Sequence, residues 1–246
     1  MNKKLVIVIL FFISLSYGIE LDFYSGNMET KNSNTNYTGL IFTNSSEDET
    51  LTYKIGLKKL SDYQTQTETF LSINQEIDLE KNLELVMLNI DDEIYGGNIY
   101  MGILHIHSYT DYKIGVEFSD FQKDKAYQTE FMINQFVGNS PFYLKPALFF
   151  IQTSNNYFYK TAEITIGYIY KTRNMELSSF IGKNQYLVDS NNYSICNFGF
   201  VHKNEIKFRY LEQWTKRVAT IFNYKYYKLK NNDYLRMVDL SLQYKF

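Results

Sequence analysis

Beyond residue 18 the chain is a succession of segments in which apolar and polar residues alternate, the pattern of strands with one apolar face. In Leu51–Lys58 the apolar set is Leu51, Tyr53, Ile55 and Leu57, against Thr52, Lys54, Gly56 and Lys58. In Tyr112–Ser119 it is Tyr112, Ile114, Val116 and Phe118, against Lys113, Gly115, Glu117 and Ser119. Ala162, Ile164, Ile166, Tyr168 and Tyr170 alternate with Glu163, Thr165 and Gly167, and Ile206, Phe208 and Tyr210 with Glu205, Lys207 and Arg209. No segment sustains a helical period, so an all-β fold is predicted.

Short polar turns separate these segments: 44–49, 122–125, 138–141, 154–156, 189–192 and 230–233. They recur at roughly fifteen to twenty residues, a wider spacing than the 8–12 of soluble sandwiches. A tilted membrane-crossing strand of about 9–11 residues plus its connection fits that spacing. The expected fold is a transmembrane antiparallel β-barrel of about twelve strands, with ten or fourteen also compatible and an even number required. Taking every plausible turn gives fifteen segments, of which those near Leu60 and Trp214 are the weakest. No linker or composition break divides residues 19–246, so they are read as a single barrel domain, with no long loop to form a constriction. In hydrocarbon an open sheet edge is excluded, so the first strand, around Ile19–Tyr24, should pair with the last.

The first eighteen residues read as a cleaved signal peptide. Lys3 and Lys4 precede the apolar run Leu5–Leu15, and Ser16 and Gly18 supply small residues two apart, which places cleavage after Gly18. An uncleaved anchor is disfavoured because about twenty apolar residues are needed to span a bilayer. Export therefore directs the barrel to the cell outer membrane. Tyr 23 and Phe 19, against Pro 2, agree with a strand-rich chain. One Cys excludes an internal disulfide and a multi-cysteine metal site. Near-balanced charge, 25 basic against 27 acidic, gives no footprint for nucleic acid.

The last strand is the most specific feature. Leu240, Leu242, Tyr244 and the terminal Phe246 alternate with Asp239, Ser241, Gln243 and Lys245. This resembles the closing strand of Gram-negative outer membrane proteins, which implies recognition by the barrel assembly machinery. Tyr157, Tyr159, Tyr168, Tyr170, Tyr224, Tyr226 and Tyr227 cluster where strand ends are expected, ring toward acyl chains and hydroxyl toward headgroups.

Three further segments carry a family resemblance: Tyr95–His105, Gly115–Phe121 and Val137–Pro146. A small-residue hairpin, an acidic-aromatic strand end and a Val-Gly-Asn turn before a Lys-Pro strand resemble the middle of the YaiO-like outer membrane β-barrel family. The similarity extends over about residues 37–185 plus the last strand and weakens over 192–229. It implies an outer membrane location and about twelve strands, and carries over no catalytic residues.

Candidate chemistry is sparse. His105, His107 and Ser108 with Asp111 contain the residue types of a nucleophile and its base. On a strand, however, both histidines face one way and Ser108 the other, so no adjacent pair can form. Two histidines lack the third ligand a metal needs. Glu47–Glu49 and Asp91–Glu93 read as solvated turns rather than cation sites, and Cys196 as an inert residue beside Phe198 and Phe200. The polar faces place Lys54, Lys58, Lys113, Glu117, Glu163, Glu205, Lys207, Arg209, Asp239 and Lys245 toward the lumen. Their mixed signs allow ion pairs across a narrow bore, whereas a selective pore is expected to carry a ring of one sign. The expected function is a non-enzymatic outer membrane barrel of structural, surface or minor permeation role, monomeric and without cofactors, whose partners are outer membrane lipids and lipopolysaccharide. A porin-like channel and a lipid-modifying enzyme are the alternatives, with a soluble periplasmic sandwich behind them.

Overall fold

A computed structural model describes residues 17–61, 66–92, 96–122, 125–184, 188–189, 194–195, 202–229 and 233–246. Residues 1–16 of the expected signal peptide 1–18, Glu93 and Cys196 lie outside them. The elements are β1 (Tyr17–Thr30), β2 (Asn34–Ser45), β3 (Leu51–Ser61), β4 (Gln66–Asp78), β5 (Lys81–Asp91), β6 (Gly97–Ile106), β7 (Asp111–Phe121) and β8 (Lys125–Phe136). They continue as β9 (Phe142–Thr153), β10 (Phe158–Tyr170), β11 (Arg173–Asn184), β12 (Val188–Asp189), β13 (Ser194–Ile195), β14 (His202–Gln213), β15 (Val218–Leu229) and β16 (Tyr234–Lys245). Fourteen of these close into one antiparallel barrel, and β12 and β13 form a separate two-stranded hairpin. No helix among the described residues is long and apolar enough to cross a membrane, which says nothing about strands.

Closure leaves no free edge. β1 pairs with β16 from Glu20–Lys245 to Thr30–Leu235, placing Leu21 beside Tyr244 and Phe23 beside Leu242. The strand count is fourteen rather than about twelve: the chain breaks between β3 and β4 and between β14 and β15, and of the fifteen segments counted from turns the surplus one falls at β12–β13, outside the barrel. The expectation of no long loop also fails. β11 ends at Asn184 and β14 begins at His202, and the described residues between them form the β12–β13 hairpin.

Tight connections are made by residues able to leave the extended region. The β10–β11 turn has Lys171 at φ 53, Asn156 stands at φ 60 between β9 and β10, and Gly138 takes φ 58 between β8 and β9. Pro146 has no N–H to donate, and the β8–β9 register skips Ile133 and Asn134 opposite Pro146 and Lys145, so the ladder is interrupted where a donor is missing.

The outer face is apolar along the middle of the barrel: Leu57, Leu71, Leu85, Val116, Leu148, Ile164 and Leu240 are all exposed. Aromatic pairs flank that band. Tyr168 stacks with Tyr170 and Tyr226 with Tyr234, with centroids 6.3 and 6.2 Å apart. Tyr227 departs from the expected girdle. It pairs in register with Glu205 and Leu235 on the inner face and is fully buried, since of two consecutive tyrosines only one can face outward.

The lumen is not uniformly polar. At the end opposite the chain termini, which carries the long connection between β11 and β14, Leu60, Leu88, Ile90, Ile99, Tyr227, Leu229, Leu235 and Met237 form a packed apolar core with Tyr24, Tyr37 and Phe70. A smaller cluster of Ala126 and Ile151, backed by Phe121 and Tyr159, lies at the same end. Aromatic rings inside the barrel lie over glycines on the adjacent strand. Tyr24 faces Gly39, Tyr37 faces Gly26, Phe70 faces Gly56 and Tyr143 faces Gly167, each pair directly opposed, and a Cβ at any of these glycines would occupy ring space.

Candidate functional site in the lumen

Below the apolar core, on the side of the chain termini, the inner faces of β3 to β14 enclose a cavity of about 460 Å³. Alternation supplies its wall. On β7 and β8, Lys113, Glu117, Gln128 and Glu130 point inward while Ile114, Val116, Tyr127 and Phe131 are exposed outside. On β10, β11 and β14, register places Thr165, Ser178 and Lys207 in one inner row and Gly167, Glu176 and Arg209 in the next.

The charges are matched along the wall rather than across the bore. Lys113 Nζ lies 3.0 Å from Glu130 between neighbouring strands. Lys145 on β9 reaches Glu176 on β11, whose Oε1 also accepts from Tyr143 Oη at 2.7 Å, the Tyr143 ring lying over Gly167. Lys207 lies 3.2 Å from Glu163 on β10, past Ser178, and also contacts Glu205. Arg209 lies 3.9 Å from Glu176. At the cavity wall His105 Nε2 lies 3.5 Å from Glu84, and nearer the mouth His107 Nδ1 lies 3.6 Å from Asp111.

The remaining residues of the inner set fall in three environments. Lys54 lines the cavity. Lys58 is buried within the apolar end, 3.3 Å from the equally buried Glu68 and 4.7 Å from the centre of the Tyr37 ring. Glu117 is buried and accepts from Ser119 Oγ at 2.8 Å and Gln128 Nε2 at 3.4 Å. Asp239 accepts from Tyr37 Oη at 3.1 Å and Asn223 Nδ2 at 2.6 Å. Lys245 stands exposed at the end of the last strand, its backbone N–H donating to Arg217 O. Leu240, Leu242, Tyr244 and Phe246 are exposed on the outer face, with the Tyr244 and Phe246 rings 4.8 Å apart at 80°.

Partners of these groups went unread in the sequence: Glu68, Glu84, Glu130, Lys145, Glu176 and Lys225. Ala126–Asn134 and Met175–Phe180 do carry alternation, so Glu130 and Glu176 had a signal. Glu68 and Lys225 did not, because a charge buried among rings has no pattern that separates it from one facing water.

A Ser–His centre is absent among the described residues at 105–111. The His105 and His107 rings stack parallel, 6.3 Å apart at 3°, while Ser108 Oγ donates to Thr110 O and is spent on the turn. Asp48, in the turn after β2, accepts from Ser46 Oγ at 2.6 Å and from Thr50 Oγ1 at 2.9 Å. The Ser46 and Thr50 hydroxyls hold its carboxyl below the usual range, so this acidic run orders a turn. Among the described residues no three His, Cys, Asp or Glu side chains are placed to hold a metal ion.

No family model and no curated protein matches the chain. Solved structures do. A bacterial polysaccharide outer membrane secretin superposes with TM-score 0.56 at 9% identity, covering 93% of this chain and 98% of its own. Omp33 of Acinetobacter baumannii gives 0.53 at 8% identity, covering 94% and 99%. The KdgM porin gives 0.50 at 8%, covering 92% and 99%. At such identities the likeness establishes the fold, an outer-membrane-type β-barrel spanned end to end.

Proposed function

We propose that the chain is an integral, non-enzymatic outer membrane β-barrel whose bore is closed by its own side chains at the longer-loop end and opens as a charge-lined vestibule at the end of the termini. The observation that carries this reading is the coexistence of an exposed apolar band outside with a packed apolar core inside the same barrel. An exposed apolar surface of that extent requires lipid, and a core only 0–6% exposed in the lumen leaves no wide aqueous path. In bacterial barrels the short turns face the periplasm, which puts the vestibule on the periplasmic side and the β12–β13 hairpin on the cell-surface side. Outer membrane lipids and lipopolysaccharide are then its solvent. The strand ending in Tyr244 and Phe246 is its handle for the assembly machinery, and it acts as a monomer.

A porin-like channel is the second reading, favoured by the vestibule and by the porin among the superposable structures. The YaiO-like assignment is supported by the segments 95–105, 115–121 and 137–146, whose described residues fall on β6, β7 and the turn into β9. The fourteen strands exceed the twelve that resemblance implied. Heat-modifiable gel migration together with recovery in the outer membrane fraction tests the reading. Folded and boiled forms should run differently, and a single position with periplasmic recovery would overturn it.

A further inference from the structure

A second cleft, of about 380 Å³, lies at the longer-loop end of β10, β11 and β14. Lys160, Lys183 and Lys203 line it, with Phe158, Tyr159 and Gly182. Two register shifts make it: β11 bulges between Ile181 and Asn184, and β14 between His202 and Asn204. The bulge is fixed. Gly182 takes φ +137 against the backbone of Lys160 and Thr161, and Thr161 Oγ1 donates to Lys183 O at 2.7 Å. The cleft sits where the lipid-facing wall ends. Ile181 is 78% exposed, Phe158 stacks with Phe150, and Lys160 Nζ is 5.6 Å from the Phe158 ring centre.

Elsewhere on the same rim Lys125 pairs with Asp120 and Arg236 with Glu29. Among the described residues no carboxylate pairs with Lys160, Lys183 or Lys203. Three clustered cations lining a cleft beside an aromatic and aliphatic wall complement an amphiphile with anionic head and acyl tails.

We propose that this cleft binds a phosphorylated glycolipid of the outer leaflet, its phosphates on the three lysines and its acyl chains along Phe150, Phe158 and Ile181. The inference rests on the outer membrane orientation given above. The test titrates the full chain, folded in detergent, with bisphosphorylated lipid A followed by native mass spectrometry. Saturable binding at one site is expected. Dephosphorylated lipid A and the variant Lys160→Gln/Lys183→Gln/Lys203→Gln should each weaken it at least about tenfold. The triple Lys→Arg variant should restore it. Equal binding by the triple Gln variant or by dephosphorylated lipid would overturn the proposal, as would inorganic phosphate displacing the lipid at equal concentration, which would mark a free-anion site. Heat-modifiable migration of each sample separates the two failures: a chain that forms no barrel overturns the membrane reading itself, whereas a folded barrel that ignores the lysines overturns only the glycolipid site.

Discussion

Lys58 and Glu68 face each other across β3 and β4 with 4% and 2% of their side chains exposed. Taking two charges out of water is costly, and their attraction offsets that cost only while both remain. Glu68→Ala should therefore destabilise the folded barrel by about 3–5 kcal/mol, and the double variant Lys58→Met/Glu68→Leu by much less. Urea unfolding in lipid vesicles measures both, and equal losses would show that the pair is not coupled. Gly39 makes a steric argument of the same scale. The Tyr24 ring occupies the space a side chain would take, so Gly39→Val should cost about 1–3 kcal/mol by overpacking, while Gly102→Ala, whose nearest neighbours stand 3.6 and 3.8 Å away, should cost far less. At this scale sequence reading reached which face each charge occupies only where alternation was clean. Nothing in Gly56 or Phe70 alone reveals that they are opposed, because register joins residues that are distant along the chain.

At the scale of the strand, the outer band is what lipid acts on. Leu148 is 50% exposed in the middle of β9, whereas Tyr170 is 48% exposed at the end of β10, so equal exposure separates depth from burial. Leu148→Arg should cost about 2–4 kcal/mol and Tyr170→Arg no more than about 1 kcal/mol in a bilayer. Equal costs would contradict the membrane depth assigned to them. The alternating strands β3, β7, β10, β14 and β16 were legible because one face meets lipid and the other meets charge. β5 was not: Leu85 and Met87 are exposed outside while Val86, Leu88 and Ile90 are buried inside, and a strand apolar on both faces loses its period of two.

For the whole molecule, the decisive feature is how the lumen is divided. Matched charges fill its terminal half along the wall, and rings and aliphatic side chains fill the other. The barrel and its closure by the last strand followed from the sequence. The apolar core did not, because alternation reports a face and is silent on what stands opposite it across the bore. The measurement that tests the account most directly is single-channel recording in planar bilayers of the wild-type chain and of Leu88→Ala/Tyr227→Ala, whose removed side chains belong to that core. The closed-bore account predicts no large steady openings from the wild type and new openings from the double variant. Large, steady, ion-selective conductance from the wild type would contradict it.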